Sequence, residues 1–238
     1  MTYQTIFRRY ELKYLLTQKQ KALLTEKMNP YMTADPFGPS TIRNIYYDTD
    51  SYRLIRRSLE KPAYKEKLRI RSYAKATDSS DIFVELKKKY RSVVYKRRLL
   101  LPEQQTMDWL AGKAACPLET QISKEIDYFH AFYQPLRPVV FLSYEREAFY
   151  SPTEADFRIT FDENILYRQE ELSLEAEIYG TPLLEEGQVL MELKTAGGLP
   201  LWMTHFLTEQ QLRKTSFSKY GAAYQRIATN REGGAAHV

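Results

Sequence analysis

The sequence predicts an α+β protein built on a closed antiparallel β-barrel with flanking helices. Three observations predict it. Six segments alternate apolar and polar residues with period two, the mark of half-buried strands. Their polar faces carry mostly Arg, Lys and Glu, not the Thr, Ser and Gln mixture of an ordinary solvated sheet. The chain also has 19 Tyr but only 9 Gly, a bias toward strands and half-wet surfaces over flexible loops.

In chain order, Tyr10, Leu12 and Tyr14 alternate with Arg9, Glu11 and Lys13. Thr17 to Asn29 reads as a helix: Thr17 caps it, Gln20 completes a capping box, and Pro30 ends the pattern. In Glu66 to Tyr73, Leu68 and Ile70 oppose Lys67, Arg69, Arg71 and Tyr73. In Asp81 to Lys89, Ile82, Val84 and Leu86 oppose Phe83, Glu85, Lys87 and Lys89. Pro102 to Leu110 and Pro117 to Tyr133 read as helices, the second with Ile122, Ile126, Phe129 and Tyr133 on one stripe. Val139 to Ala148 aims Tyr144 and Arg146 the same way. In Phe157 to Asp162, Arg158, Thr160 and Asp162 share a face, as Leu190, Glu192 and Lys194 do in Val189 to Lys194. Helices over Leu201 to Leu212 and Ser216 to Ile227 close the chain, and Arg231 to Val238 reads as a disordered tail. No linker or internal repeat interrupts residues 1–230, which read as one domain.

The bulk numbers exclude several classes. The chain has 238 residues, and its net charge of +5 fits an anionic partner without requiring one. Cys116 is the sole cysteine, so no disulfide forms within the chain and a thiolate metal cluster is excluded, which fits a reducing cytoplasmic setting. The polar N-terminus lacks a signal-peptide core, and no stretch approaches the roughly 18 apolar residues of a transmembrane segment. A membrane association would run through a partner. His130, His205 and His237 are not paired at ligand spacing, and no Gly-rich phosphate loop is present.

An antiparallel sheet with one face in water is one account of the charged faces. The recurrence of Lys13, Arg69, Arg71, Lys87, Arg146 and Arg158 on strand after strand favours a closed barrel with a charged lumen. Crowded cations in a protected space require an anion, and several close charges suit a chain of phosphates. The carboxylates Glu11, Glu85, Asp162 and Glu192 either neutralise these cations or hold a hard divalent metal, with Glu192 the leading ligand and Glu11 a weaker one.

Eight stretches occur in a specific order: RYELKY at Arg9 to Tyr14, IYYDTDSY at Ile45 to Tyr52, KLRIRSY at Lys67 to Tyr73, VELKKK at Val84 to Lys89, YEREAF at Tyr144 to Phe149, RITFD at Arg158 to Asp162, MELK at Met191 to Lys194, and SFSKY at Ser216 to Tyr220. Through them the chain, from about Phe7 to Gln225, resembles the VTC domain. That is the catalytic domain of the vacuolar transporter chaperone polyphosphate polymerase, in the triphosphate tunnel metalloenzyme superfamily. The resemblance implies an eight-stranded tunnel. By position it implies Lys13, Arg69, Arg71, Lys87 and Arg146 as catalytic basic residues, with Lys219 joining them from the last helix. Tyr144 and Ser218 would contact phosphate, as would Arg158 and either Lys96 or Arg97; Glu192 would bind Mn²⁺ or Mg²⁺. The superfamily's ExExK signature is here Arg9-Tyr10-Glu11-Leu12-Lys13, one glutamate short, which favours the VTC branch over the triphosphatases. A second lysine expected before the Ser-Lys pair falls on Ser216, with Lys214 nearby. The resemblance is to a stand-alone bacterial form, without the additional domains of the fungal subunits.

The activity implied is metal-dependent transfer of the ATP γ-phosphoryl group onto polyphosphate. A tripolyphosphatase or nucleoside triphosphatase would use the same pocket with water as acceptor, and a non-catalytic polyphosphate-binding module would not turn over at all. Nucleic acid is a poorer fit, because the basic residues lie on strand faces among carboxylates and form no helical stripe.

Overall fold

A computed structural model describes residues 6–7, 10–91, 93–154 and 156–235. Arg9 and His237 therefore lie outside the described residues. The chain begins with β1 (Ile6–Phe7), β2 (Tyr10–Thr17) and α1 (Gln18–Met28), then β3 (Thr33–Ala34), β4 (Ser40–Thr49) and α2 (Arg53–Leu59). A meander of β5 (Tyr64–Ser72), β6 (Asp81–Tyr90) and β7 (Val93–Pro102) leads into α3 (Glu103–Leu110) and α4 (Gln121–Phe132). The long strands β8 (Leu136–Tyr150) and β9 (Arg158–Arg168) precede β10 (Thr181–Pro182) and β11 (Gln188–Thr195). The chain ends with α5 (Leu201–Glu209), β12 (Lys214–Thr215) and α6 (Lys219–Ala235).

The α+β class and the antiparallel sheet match the sequence reading, but the closed eight-stranded barrel does not. The sheet is 12-stranded and runs β1-β7-β6-β5-β4-β8-β9-β11-β2-β12, with β3 on β8 and β10 on β9. It rolls up without closing: among the described residues no ladder joins the β7 side to the β2 side. The reason is local. The two-residue β1 pairs with Val94 and Tyr95 on the free edge of β7, and the two-residue β12 with Lys13 and Tyr14 on that of β2, so each edge is capped in part by a short strand and not by the other edge. Side chains span the seam instead, with Lys87 of β6 reaching Glu11 of β2 at 3.0 Å. Helix α6 also runs further than expected, covering the first five of the residues read as a tail; residues 236–238 lie outside the described residues.

Period two decides what each strand buries. The outward residues Leu68 and Ile70 of β5 and Ile82, Val84 and Leu86 of β6 pack under α3 and α4 with Trp109, Ile126 and Phe129. On the opposite wall, Leu16, Phe161, Met191 and Leu193 pack under α1 and α5 with Leu24, Met28, Met203 and Phe206. Each such fully buried side chain contributes about 1.5–3 kcal/mol. Helix α1 starts where expected, because Thr17 and Gln20 form a reciprocal capping box.

The inner face divides along its length. At one end Ile42, Tyr46, Leu142, Tyr144 and Leu190 pack against Ile55 of α2 and Tyr220, Ala223 and Ile227 of α6. Asp48 fixes this plug. It is fully buried and accepts hydrogen bonds from the backbone of Thr49, Leu54 and Ile55 and from the Tyr220 hydroxyl at 2.8–3.0 Å. Beyond the plug the inner face becomes charged.

Candidate active site

The charged stretch of the inner face is assembled by strand register. On β5, Lys67, Arg69 and Arg71 alternate with the core residues Leu68 and Ile70. Register places Glu85 of β6 opposite Arg69 and Arg98, and Lys87 opposite Lys67 and Lys96. Across the bore, Glu192 of β11 lies opposite Lys13 and Thr160, and Lys194 lies opposite Glu11 and Arg158. Arg146 of β8 lies opposite Asp162 of β9. Ser218 and Lys219 enter from the start of α6.

Three carboxylates organise the cations. Glu85, 1% exposed, takes Arg69 at 2.7 Å, Lys96 at 2.5 Å and Arg98 at 3.4 Å. Asp162, fully buried, receives two parallel hydrogen bonds from Arg146 at 2.6 and 2.7 Å and one from Lys219 at 2.5 Å. Glu11 takes Lys87. Neutral groups fix the guanidinium planes: Arg69 donates to the Tyr46 hydroxyl, while Arg71 donates to Asn44 and to the Tyr144 hydroxyl, each at 2.8–2.9 Å. Bidentate, preset guanidinium forks suit phosphate oxygens.

The electrostatics show unbalanced positive charge. Burial, reinforced by Lys87 and Lys13, pulls the Lys67 ammonium down to about 7. Burial also lowers Lys13 to about 8 and Lys96 to about 7, although Glu192 and Glu85 respectively work against it. Burial would raise the Tyr144 phenol, but Arg146, Arg71 and Lys219 outweigh it and bring the group down to about 8. Burial opposes ionisation of Asp162 too, yet Lys219 and Arg146 hold it down at about 2. The lumen thus stabilises negative charge wherever a group can supply it, which an oligophosphate would exploit.

Glu192 differs from the other carboxylates. Its nearest cations, Lys194, Lys13 and Arg146, stay at 3.6–3.9 Å, and none makes a hydrogen bond to it. Despite burial, Lys194 and Lys13 keep it ionised well below the usual carboxylate range. Its register partner Thr160 has a buried hydroxyl without a partner among the described residues, and Glu11 is close enough to feel its charge. Open carboxylate lone pairs and a free hydroxyl are hard oxygen donors, so the residues present fit a Mg²⁺ or Mn²⁺ ion that phosphates would help to coordinate. Glu85 and Asp162 are each held in close ion pairs by two or three cations and do not offer this.

The family model described as VTC domain matches residues 8–228. The chain belongs to the VTC domain family. No curated protein matches this sequence. Solved structures show the same fold at low identity. A candidate adenylate cyclase from Bacillus halodurans has a TM-score of 0.54 at 15% identity, covering 89% of this chain and 96% of that one. An adenylyl cyclase candidate from Hippeastrum, described as having a dominant triphosphatase activity, has a TM-score of 0.52 at 14% identity, covering 89% and 92%. Both likenesses support the tunnel fold of this VTC domain.

Within that fold, Lys13, Arg69, Arg71, Lys87, Tyr144, Arg146, Glu192, Glu11, Ser218 and Lys219 all lie in or on the charged lumen. Arg158 follows the same face but is exposed at its end. Of the pair left open by sequence, Lys96 points inward to Glu85, whereas Arg97 points outward to Glu125 on α4. Lys214 is exposed and sits opposite the outward Tyr14, so it does not replace the lysine missing at Ser216. Sequence reasoning gave no lumen role to Lys67, Arg98 or Lys194. Lys67 and Lys194 stand two residues from Arg69 and Glu192, so period two was the signal that reaches them.

Proposed function

We propose that this VTC domain, spanning residues 1–230, is a polyphosphate polymerase that transfers the γ-phosphoryl group of ATP to the end of a polyphosphate chain. The observation that carries this reading is the charge excess of the lumen. Among the described residues, ten basic side chains (Lys13, Lys67, Arg69, Arg71, Lys87, Lys96, Arg98, Arg146, Lys194 and Lys219) face the carboxylates Glu11, Glu85, Asp162 and Glu192, and Glu192 makes no hydrogen bond there. Arg69, Arg71 and Arg146, their planes fixed by neighbours, would grip non-bridging phosphate oxygens and align the triphosphate. Lys13, Lys67 and Lys87 would place the acceptor chain and screen its charge. A terminal phosphate oxygen of that chain attacks the γ-phosphorus as the bond to the β,γ-bridging oxygen breaks and ADP leaves. Such transfer needs mainly positioning and charge stabilisation. A Mn²⁺ or Mg²⁺ held by Glu192, with Glu11 beside it, supplies Lewis-acid neutralisation of phosphate charge. The acceptor is already ionised at neutral pH, and the two described histidines lie on α4 and α5, away from the lumen strands.

The second reading is a triphosphatase with water as acceptor, the activity described for the Hippeastrum protein of the same fold. Incubation with ATP and Mn²⁺, with and without a short polyphosphate primer, beside Glu192→Ala, separates the two on a polyphosphate-resolving gel. A metal-dependent ladder absent from the variant supports the polymerase. Orthophosphate without a ladder supports the triphosphatase. Unchanged ATP with retained primer would refute both and leave a binding module.

A further inference from the structure

Outside the lumen, the loop between β9 and β10 meets the β5–β6 connection at the start of α3. Asp78, Glu103 and Glu175 each bring a carboxylate oxygen there to within 4.8 Å of the other two. Glu103 is 5% exposed, and its carboxylate has no hydrogen-bond or ion-pair partner among the described residues. The charged groups that bear on it, Glu175, Asp78 and Asp108, are all acidic. The nearby lysines are spent elsewhere: Lys75 pairs with Glu177, and Lys113 with Asp108 at 3.7 Å. A buried carboxylate aimed at two others without a counter-charge carries a large desolvation and repulsion cost.

The backbone around the three is already fixed. Ala76 N–H and Arg43 Nη1 both donate to the Leu174 carbonyl at 3.2 Å. Glu103 N–H donates to the Ser80 carbonyl at 2.9 Å, and Gln104 N–H to the Asp78 carbonyl at 3.2 Å. These bonds tie the backbone segments that carry the three carboxylates to one another.

We propose that Asp78, Glu103 and Glu175 form a second cation site, for a hard divalent ion of the Ca²⁺ class, that staples the β9–β10 loop to the β5–β6 connection and α3. The donors are all carboxylate oxygens, with no thiolate or imidazole among them, which selects hard cations over Zn²⁺ or Cu²⁺. Asp78 is exposed, which gives the ion an entry path and leaves room for the water ligands that complete a Ca²⁺ shell. The site shares no residue with the phosphate-binding lumen, so it stands or falls independently of the polymerase reading.

The test uses the full chain, stripped with chelator, as wild type and as the Glu103→Gln, Asp78→Asn and Glu192→Gln variants. Ca²⁺ binding is read by calorimetry and by thermal unfolding. Removing even an outer-shell partner weakens metal sites by about 10–100-fold, so losing a ligand should weaken Ca²⁺ at least about tenfold. The expected result is saturable binding and a raised Tm in wild type and in Glu192→Gln, both lost or weakened at least about tenfold in Glu103→Gln and Asp78→Asn. Without Ca²⁺, Glu103→Gln should unfold no lower than wild type, because it removes a like charge. Should that variant fail to fold, Asp78→Asn, at an exposed position, carries the same comparison. The proposal is overturned if wild type binds no Ca²⁺ saturably, or if binding and the Tm gain persist undiminished in Glu103→Gln and Asp78→Asn.

Discussion

Replacing Glu85 with Gln should destabilise the protein far more than a single conservative change at an ion pair would suggest. Glu85 is 1% exposed and takes Arg69, Lys96 and Arg98 within 3.4 Å. Its charge also acts on Arg71, which helps to hold its carboxyl well below the usual carboxylate range. Glutamine keeps the shape but removes the negative charge on which these cations converge, leaving buried Arg71 and half-buried Arg69, Lys96 and Arg98 without it. Breaking a buried pair in this way costs about 3–5 kcal/mol. For a chain of this size that corresponds to a fall in Tm of roughly 6–20 °C. Urea and thermal unfolding of wild type and variant measure it. The same argument gives a second expectation: tripolyphosphate, by supplying anionic charge to the lumen, should raise the Tm of Glu85→Gln by more than it raises that of wild type. A loss below about 1 kcal/mol, or an equal gain from tripolyphosphate, would refute the view that Glu85 is the counter-charge of an inward-facing cation cluster.

Two further outcomes test other parts of the structure. Lys67 and Lys96, each lowered to about 7 by burial first, are charged below that pH and lose their protons above it, whereas a bound polyanion favours the charged forms. Tripolyphosphate binding should therefore take up protons above pH 7, seen as buffer-dependent heats in calorimetry, and Lys67→Arg should flatten the pH dependence. Ile70→Ala, at a fully buried position under α3 and α4, should cost about 2–5 kcal/mol in denaturant unfolding while leaving the register of Arg69 and Arg71 intact.

The strands that were legible in the sequence are those with one apolar and one charged face: β2, β5, β6, β8, β9 and β11. Period two marks such strands directly, and it also sorted most lumen residues from core residues. The strand β4 was missed because nearly all of it is buried on both faces, so Arg43, Asn44 and Asp48 sit among apolar residues without alternation. The strand β7 was missed because Lys96, Arg97 and Arg98 run together, and only the fold reveals that Arg97 turns out to Glu125 while its neighbours turn in to Glu85. The seven-residue α2 has no hydrogen bond from the side chain of its N-cap, Tyr52; its first N–H groups go instead to Thr49 and Asp48, three and four residues before that cap, a spacing outside the usual capping patterns. The open seam is flanked by two-residue strands, too short to leave a periodic trace.

The sheet order also sets a schedule for the nascent chain. The first long strand, β2, pairs with β11 and β12, so residues 10–17 have no ladder until residues 188–195 and 214–215 exist. At about 5–20 residues per second, a ribosome leaves β2 waiting on the order of 10–30 s while the β4-to-β8 portion finds its partners. An unpaired strand with an apolar face invites pairing with a neighbouring chain. Glu11 and Lys13, which later line the lumen, place charges on that strand throughout the wait. Residues suited to phosphate and metal in the finished protein are thus also suited to guarding an open strand edge during synthesis.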